Sequence, residues 1–380
     1  MKAALYTIFR CTNYGAVLQA YALARTLRGF LGEDALDVLN HRMDPRDNHL
    51  LGKVTNPNTP WFQRWRNRRK FAAKYIRPDL FEVRRRKTID LMARHIRPTA
   101  RLYARPQEFR EMPAYSTVVV GSDQVWNPGL NHDFGCNPYL CTDFPEAQDR
   151  VAYAASFGVA QLSPDAADEC RRALARFRRI TVREESGAEI CRRLLGTDPE
   201  VVLDPTLLLP PEEWLAAVGA RPGSDSVAAY WVRTVTQRDV DALAGMARRL
   251  GAHVRLMSAG PLPKLSLPPE VEPFIDADPF DFVSAVASSS AVVTDSFHGL
   301  QFSILFRRPF AALGELSNPM SNASRLVDFA RRYGLSGGVF DIESFRFGDV
   351  CPPADLSSFD AASLESDRAR SLAALKGLLP

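Results

Sequence analysis

The sequence predicts an α/β protein of two Rossmann-like, parallel-sheet domains facing each other across a cleft. Three observations predict it. Short, unalternated apolar runs recur with helical stretches between them, as in strands covered on both faces. A polar turn follows nearly every run, at the carboxyl end of the strand, where such sheets bind ligands. The cluster Pro205, Pro210 and Pro211 splits the alternation into two sets, and 380 residues exceed one ordinary core.

The elements follow in order. Met1 to Ile8 reads as a strand. A helix follows from about Asn13 to Leu27, with Ala20, Leu23, Ala24 and Leu27 on one face and Gly29 or Gly32 ending it. Ala35–Leu39 is the next strand. Two helices, roughly 59–75 and 80–95, interrupt the alternation. Strand runs then lead into Gly121-Ser122-Asp123-Gln124-Val125-Trp126, Ser156-Phe157-Gly158, Arg183-Glu184-Glu185-Ser186 and Asp204-Pro205. The second set begins at Val227–Val232. It continues through a helix near Arg238–Leu250, a strand at Val254–Met257, a helix near Pro279–Ser288 and the strand Ala291–Thr294. A strand at Pro309–Leu313 and helices at Ser324–Tyr333 and Ser363–Leu379 complete it. The expected units are 1–205, 206–350 and a helical tail 351–380. Two facing parallel sheets match the GT-B architecture.

No apolar run reaches the roughly 18 residues of a spanning helix, and Met1–Ile8 is too short and mixed for a signal peptide. The expectation is a cytoplasmic protein. Cys11, Cys136, Cys141, Cys170, Cys191 and Cys351 fit no zinc spacing and read as reduced and structural. No metal site is expected. The net charge of +4 is uneven: residues 61–87 carry +9, leaving the remainder at −5. Trp61, Phe62, Trp65, Phe71 and Tyr75 are interleaved with those charges. Two readings stand: a surface for an anionic partner, such as a lipid-linked acceptor or the inner face of a membrane, or a solvated helical excursion packed on the body. Nucleic acid is not expected, because no recognition motif accompanies the charge.

Five strand ends and turns carry candidate chemistry. Ser296-Phe297-His298-Gly299 opens a helix after the strand Ala291–Thr294. The positive end of a helix dipole welcomes an anion, and a histidine there serves as acid, base or donor. Asp295 is a candidate partner for His298, and Gly299 permits close approach to a ligand. Asp123, Gln124 and Trp126 form a sugar-binding set, with an acid and an amide for hydroxyls and an indole for a ring face. A capped helix start with a core Trp126 is the alternative. Asn13, Tyr14 and Gly15 open the first helix. A capping role explains Asn13, but glycine costs about 1 kcal/mol inside a helix. Arg233 ends a strand and needs an anion: a ligand's carboxylate or phosphate, or an internal partner such as Asp295 or Asp204. Arg183-Glu184 reads either way too.

Together, in this order, the motifs resemble the polysaccharide pyruvyl transferase family. They are Thr12-Asn13-Tyr14-Gly15-Ala16-Val17-Leu18-Gln19-Ala20-Tyr21, Val119-Val120-Gly121-Ser122-Asp123-Gln124-Val125-Trp126-Asn127-Pro128 and Tyr153-Ala154-Ala155-Ser156-Phe157-Gly158. Val182-Arg183-Glu184-Glu185-Ser186-Gly187, Leu203-Asp204-Pro205 and Thr294-Asp295-Ser296-Phe297-His298-Gly299 complete the set. The resemblance implies a GT-B-like fold and transfer of the enolpyruvyl group of phosphoenolpyruvate onto two sugar hydroxyls as a ketal. Phosphoenolpyruvate is a substrate, and no cofactor is implied. It implies His298 as acid or phosphate ligand and Arg233 as donor clamp, with Ser296, Gly299, Arg183 and Asp295 around the donor. Asp123, Gln124, Trp126, Ser156, Asn13, Tyr14 and Gly15 would then face the acceptor, with the acid and base roles open to exchange. Members often carry an arginine just before the histidine. Here Ser296-Phe297 stand there, so the cation would come from Arg183, Arg307 or the segment 61–87. A nucleotide-sugar transferase on the same fold and a non-catalytic, surface-binding relative are the competing readings.

Overall fold

A computed structural model describes residues 2–41, 60–130, 137–219, 226–316, 323–346, 354 and 356–380. Cys136 and Cys351 lie outside them; no disulfide joins Cys11, Cys141, Cys170 or Cys191.

The first sheet contains β1 (Ala3–Tyr6), β2 (Leu36–His41), β3 (Pro98–Tyr103), β4 (Val118–Val120), β5 (Arg150–Ala155), β6 (Arg179–Val182) and β7 (Glu200–Val201). Their order is β3-β2-β1-β4-β5-β6-β7, and every pairing is parallel. The second contains β8 (Ser226–Trp231), β9 (His253–Ser258), β10 (Val271–Pro273), β11 (Ala291–Thr294), β12 (Phe310–Gly314) and β13 (Val339–Asp341). Its order is β10-β9-β8-β11-β12-β13, again all parallel. The two sheets make a GT-B-like fold. The apolar runs became strands because both faces are covered: β1, β4, β5, β11 and β12 are buried at every position.

Both sheets show the doubly wound reversal of strand order, between β1 and β4 in one and between β8 and β11 in the other. Ligands of such sheets sit at that reversal, beyond the carboxyl ends. One helix leaves each reversal into the space between the domains. Tyr14–Leu31 is buried continuously from Tyr14 to Ala24, and Phe297–Leu305 from His298 onward. A helix apolar on all sides belongs in an interior, and these two form the seam of a core shared by both domains.

The first helix starts at the Asn13 cap and ends at Gly32, whose φ of 99° suits glycine. The tail helix Ala361–Leu378 returns to the first domain: Arg368 Nε donates to Leu207 O and Ser371 Oγ accepts from Leu203 N–H. The basic segment forms helices Trp61–Lys74 and Pro78–Leu91. Three strands escaped the sequence reading, β3, β10 and β13, and all lie at sheet edges. An edge strand has less to bury; in β3 only Tyr103 is buried.

Candidate active site

The two strand-order reversals touch. At the first, Gly121 holds φ of 115°, and a Cβ there would fall 2.2 Å from Tyr153 O. The turn it opens is irregular, not a capped helix start. Asp123 follows at φ of 66°, a left-handed conformation that Asp tolerates better than most residues. Ala154, at φ of 49°, marks a register shift in β5, a bulge of the kind that re-aims the next side chains. Ser156 is thereby buried, donating to Glu184 Oε1 and accepting from Gly158 N–H.

At the second reversal Ser296 caps the helix by accepting from Gly299 N–H. Gly299 faces Thr294, not open space: a Cβ would lie 2.4 Å from Thr294 Oγ1. It is a packing glycine rather than a point of ligand approach. Gly15 is the close approach: a Cβ on it would lie 2.1 Å from His298 Nδ1. The glycine that capping left unexplained is there so that the first helix can pass against the imidazole.

His298 Nε2 points at Asp204 Oδ2, 3.5 Å away, the reach of an ion pair rather than a formed hydrogen bond. Asp204 is fully buried. It accepts from Thr206 N–H at 3.0 Å, from Thr206 Oγ1 at 2.8 Å and from Arg183 Nη1 at 2.8 Å. Burial alone would push its carboxyl up; the charge and proximity of His298, then Arg183 and the Thr206 N–H, outweigh that and hold it well below the usual carboxylate range. Arg183 also reaches Asp123 Oδ1 at 3.3 Å and Glu184 Oε2 at 3.5 Å. Burial works against its charge, but Asp123, Glu184 and Asp204 more than restore it and raise its pKa. Ser122 ties the cluster to the first helix through Gln19, its Oγ donating to Gln19 Oε1 at 3.1 Å.

The structure therefore unites Asp123, Ser156, Arg183 and His298 with Gly15, and adds Glu184 and Asp204. It corrects other expectations. Asp295 does not pair with His298; it accepts from Val232 N–H at 2.6 Å and from Arg233 Nε at 3.0 Å. Arg233 is committed to Asp295 and to Glu315, at 2.9 Å, the internal salt bridge that its sequence position left open. Trp126 is wholly buried, its Nε1 donating to Tyr139 O at 3.3 Å and its ring against Phe157 and Phe177, so it offers no face to a sugar. Tyr14 is wholly buried as well. It donates to Ala277 O at 2.8 Å and stacks on Tyr230 and Phe282. Burial pushes its phenol up to about 12. Asn13 is a cap, accepting from Gly15 N–H at 3.0 Å and from Tyr230 Oη at 3.2 Å. Gln124 is half-buried and accepts from Asn127 Nδ2.

One part of the basic segment is structural. Arg84 is buried, its guanidinium 4.2 Å from the Tyr14 ring centroid, and donates to Thr12 O, Ser258 O and Ala259 O. It locks the segment to both domains.

Sequence reading missed Arg325, in the helix Ala323–Arg332. Its guanidinium lies 5.6 Å from the Phe297 ring centroid, and that of Arg183 5.1 Å. Burial lowers its pKa, with Glu184, Arg183, Asp123 and Asp204 as its charged surroundings. Only an arginine in a helix first turn lacking acids signals it in sequence. Among the described residues no group of three or more His, Cys, Asp or Glu side chains is arranged to hold a metal ion. No helix among them is long and apolar enough to cross a membrane.

No curated protein matches the chain by sequence. Among solved structures, UDP-GlcNAc 2-epimerase from Methanocaldococcus jannaschii, in complex with UDP-GlcNAc and UDP, aligns with a TM-score of 0.47 at 9% identity. The alignment covers 98% of this chain and 100% of that one. The glycosyltransferase SnogD from Streptomyces nogalater aligns with a TM-score of 0.40 at 15% identity, over 100% of this chain and 96% of that one. E. coli heptosyltransferase WaaC with ADP aligns with a TM-score of 0.36 at 12% identity, over 84% and 89%. The family model for polysaccharide pyruvyl transferase matches residues 13–317, the span that holds Gly15, Asp123, Arg183, Asp204 and His298. The chain is a transferase of the polysaccharide pyruvyl transferase family.

Proposed function

We propose that this protein transfers the enolpyruvyl carbons of phosphoenolpyruvate onto two hydroxyls of a sugar in a polysaccharide or glycan precursor, forming a pyruvate ketal. The observation that carries this reading is the His298–Asp204 pair held against Gly15 where the two strand-order reversals meet. A buried carboxylate stabilises the imidazolium and orients its proton. His298 gives that proton to the C3 methylene as one sugar hydroxyl adds to C2, and Asp123 takes the proton of the attacking hydroxyl. The second hydroxyl then attacks C2, the C2–O bond to phosphate breaks, and its proton leaves with the phosphate. Asp123 then returns its proton through solvent to His298, so that atoms balance: two hydroxyl hydrogens are spent, one in effect on the new methyl group and one on phosphate.

The acceptor side has its own support. Trp61, Phe62 and Trp65 are 76%, 52% and 57% exposed, beside exposed Arg66, Arg68, Arg69 and Lys70. Aromatic side chains with interleaved cations suit an anionic membrane surface. The protein works in the cytoplasm and rests this helix on the inner membrane face, meeting a lipid-linked acceptor. Co-sedimentation with anionic vesicles, lost on neutralising 64–70, supports this contact; equal sedimentation with neutral vesicles contradicts it.

The test of function incubates the protein with phosphoenolpyruvate and a panel of glycans. Acceptor-dependent phosphate release is expected, reduced on the order of 10²- to 10⁴-fold in His298→Ala, the usual worth of a general acid. Turnover of a nucleotide sugar, with phosphoenolpyruvate untouched across the panel, would contradict it.

A further inference from the structure

We propose that Arg325 is the cation that receives the anionic end of the donor, in place of the arginine that Ser296-Phe297 displace. The inference rests on the pyruvyl-transfer reading. Its basis is a guanidinium with two donors that the described residues leave unanswered. Nε and Nη1 of Arg325 are shut off from solvent and have no hydrogen-bond partner among the described residues. A buried guanidinium without an anion is costly. Its place in the chain adds to the cost: it is the third residue of its helix, where the dipole opposes a cation, and that first turn holds no acid.

Arg183 does not fill this role. It is spent on Asp204, Asp123 and Glu184. The Phe297 ring explains how the second arginine is brought in. It meets Phe329, one helical turn after Arg325, at 5.3 Å between centroids, while Arg325 lies over its face at 5.6 Å. The same ring contacts that of His298 at 6.2 Å. Phe297 thus replaces an in-line cation with a platform that holds one from another helix, beside the proposed acid. The three carboxylates are gathered on Arg183, whose unbonded Nε still lies 3.5 Å from Glu184 Oε2, whereas Arg325 leaves two donors, Nε and Nη1, with no such partner among the described residues. Its planar fork fits two oxygens of a phosphate or carboxylate.

Calorimetric titration of the full-length protein, wild type, Arg325→Gln and Arg325→Lys, with phosphoenolpyruvate, inorganic phosphate and pyruvate tests the assignment. A thermal melt without ligand accompanies each variant. Arg325→Gln is expected to bind phosphoenolpyruvate at least roughly tenfold more weakly, the worth of a hydrogen bond to a charged group, with Arg325→Lys between. Its unliganded melting temperature should equal or exceed wild type, because an unanswered buried charge is gone; a residue held only for structure would lower it. If wild type binds phosphoenolpyruvate and Arg325→Gln binds it equally, the inference falls and the pyruvyl reading stands. If inorganic phosphate binds in an Arg325-dependent way and phosphoenolpyruvate does not, the anion site stands and the pyruvyl reading falls. Failure of wild type to bind any of the three anions overturns the inference.

Discussion

Each domain places an arginine at a strand end among carboxylates, and the two clusters differ in what they face. The Arg183 side chain, after β6, is 1% exposed and meets Asp123, Glu184 and Asp204. That of Arg233, after β8, is 34% exposed and meets Asp295 and Glu315. One lies beneath a histidine delivered by the other domain. The other closes on its own domain and engages the turn preceding that histidine. A strand-end arginine with nearby acids is therefore not a site by itself; the element that packs on top decides. In Arg183 the charges are locked so that Asp204 can face His298. In Arg233 they fix the loop that starts the histidine helix.

The largest difference expected between the clusters is in stability. Arg183→Met strips the cation from buried carboxylates and should cost about 3–5 kcal/mol, as breaking a buried pair does. Arg233→Met leaves the buried Asp295 its two backbone N–H donors, so it should cost less, about 1–2 kcal/mol. Thermal or urea denaturation of both variants decides; equal losses would erase the contrast.

Next in size is the contact that joins the domains. Gly15→Ala pushes a methyl group into His298 and should lower turnover about 100-fold, the usual result of misplacing a catalytic group by about an ångström. Turnover near wild type in a folded Gly15→Ala protein would show that His298 need not sit where it does.

The last effect is a pH dependence away from the site, spread over more than two pH units. His41 is buried with its Nδ1 3.1 Å from Tyr6 Oη, and burial lowers its pKa from 6.5 to about 4. Its native form is the neutral one, so the unfolded chain binds more protons between those values. Stability is full above pH 6.5 and falls as pH drops toward 4, by at most about 3 kcal/mol. Asp204 runs in a separate window: held low, its contribution is intact above 3.8 and is lost only as pH falls further. Denaturation midpoints should fall between pH 6.5 and 4 in wild type and less in His41→Gln; identical slopes would remove His41 as the cause.

What the sequence made legible follows from range. Strands buried on both faces announce themselves through continuous apolar runs, so every inner strand was readable, as was the helix start at His298. The partners were not. Asp295 is three residues from His298 and looked like its mate, whereas Asp204 comes from the other domain. Tyr14 and Trp126 have the composition of a sugar site, but contacts with Ala277, Tyr230, Tyr139 and Phe177 bury them. Arg325 belongs to no motif; only packing against Phe297 reveals it. Local spacing shows which turns are polar, and long-range packing shows which of their side chains remain available.

The most direct test of the central claim is a structure determined with phosphoenolpyruvate bound. Its C3 methylene is expected within roughly 3–3.5 Å of a His298 ring nitrogen, the range of a reactive approach, with an anionic end on Arg325. Phosphoenolpyruvate bound outside the space between His298 and Asp123, with neither side chain in contact, would contradict it.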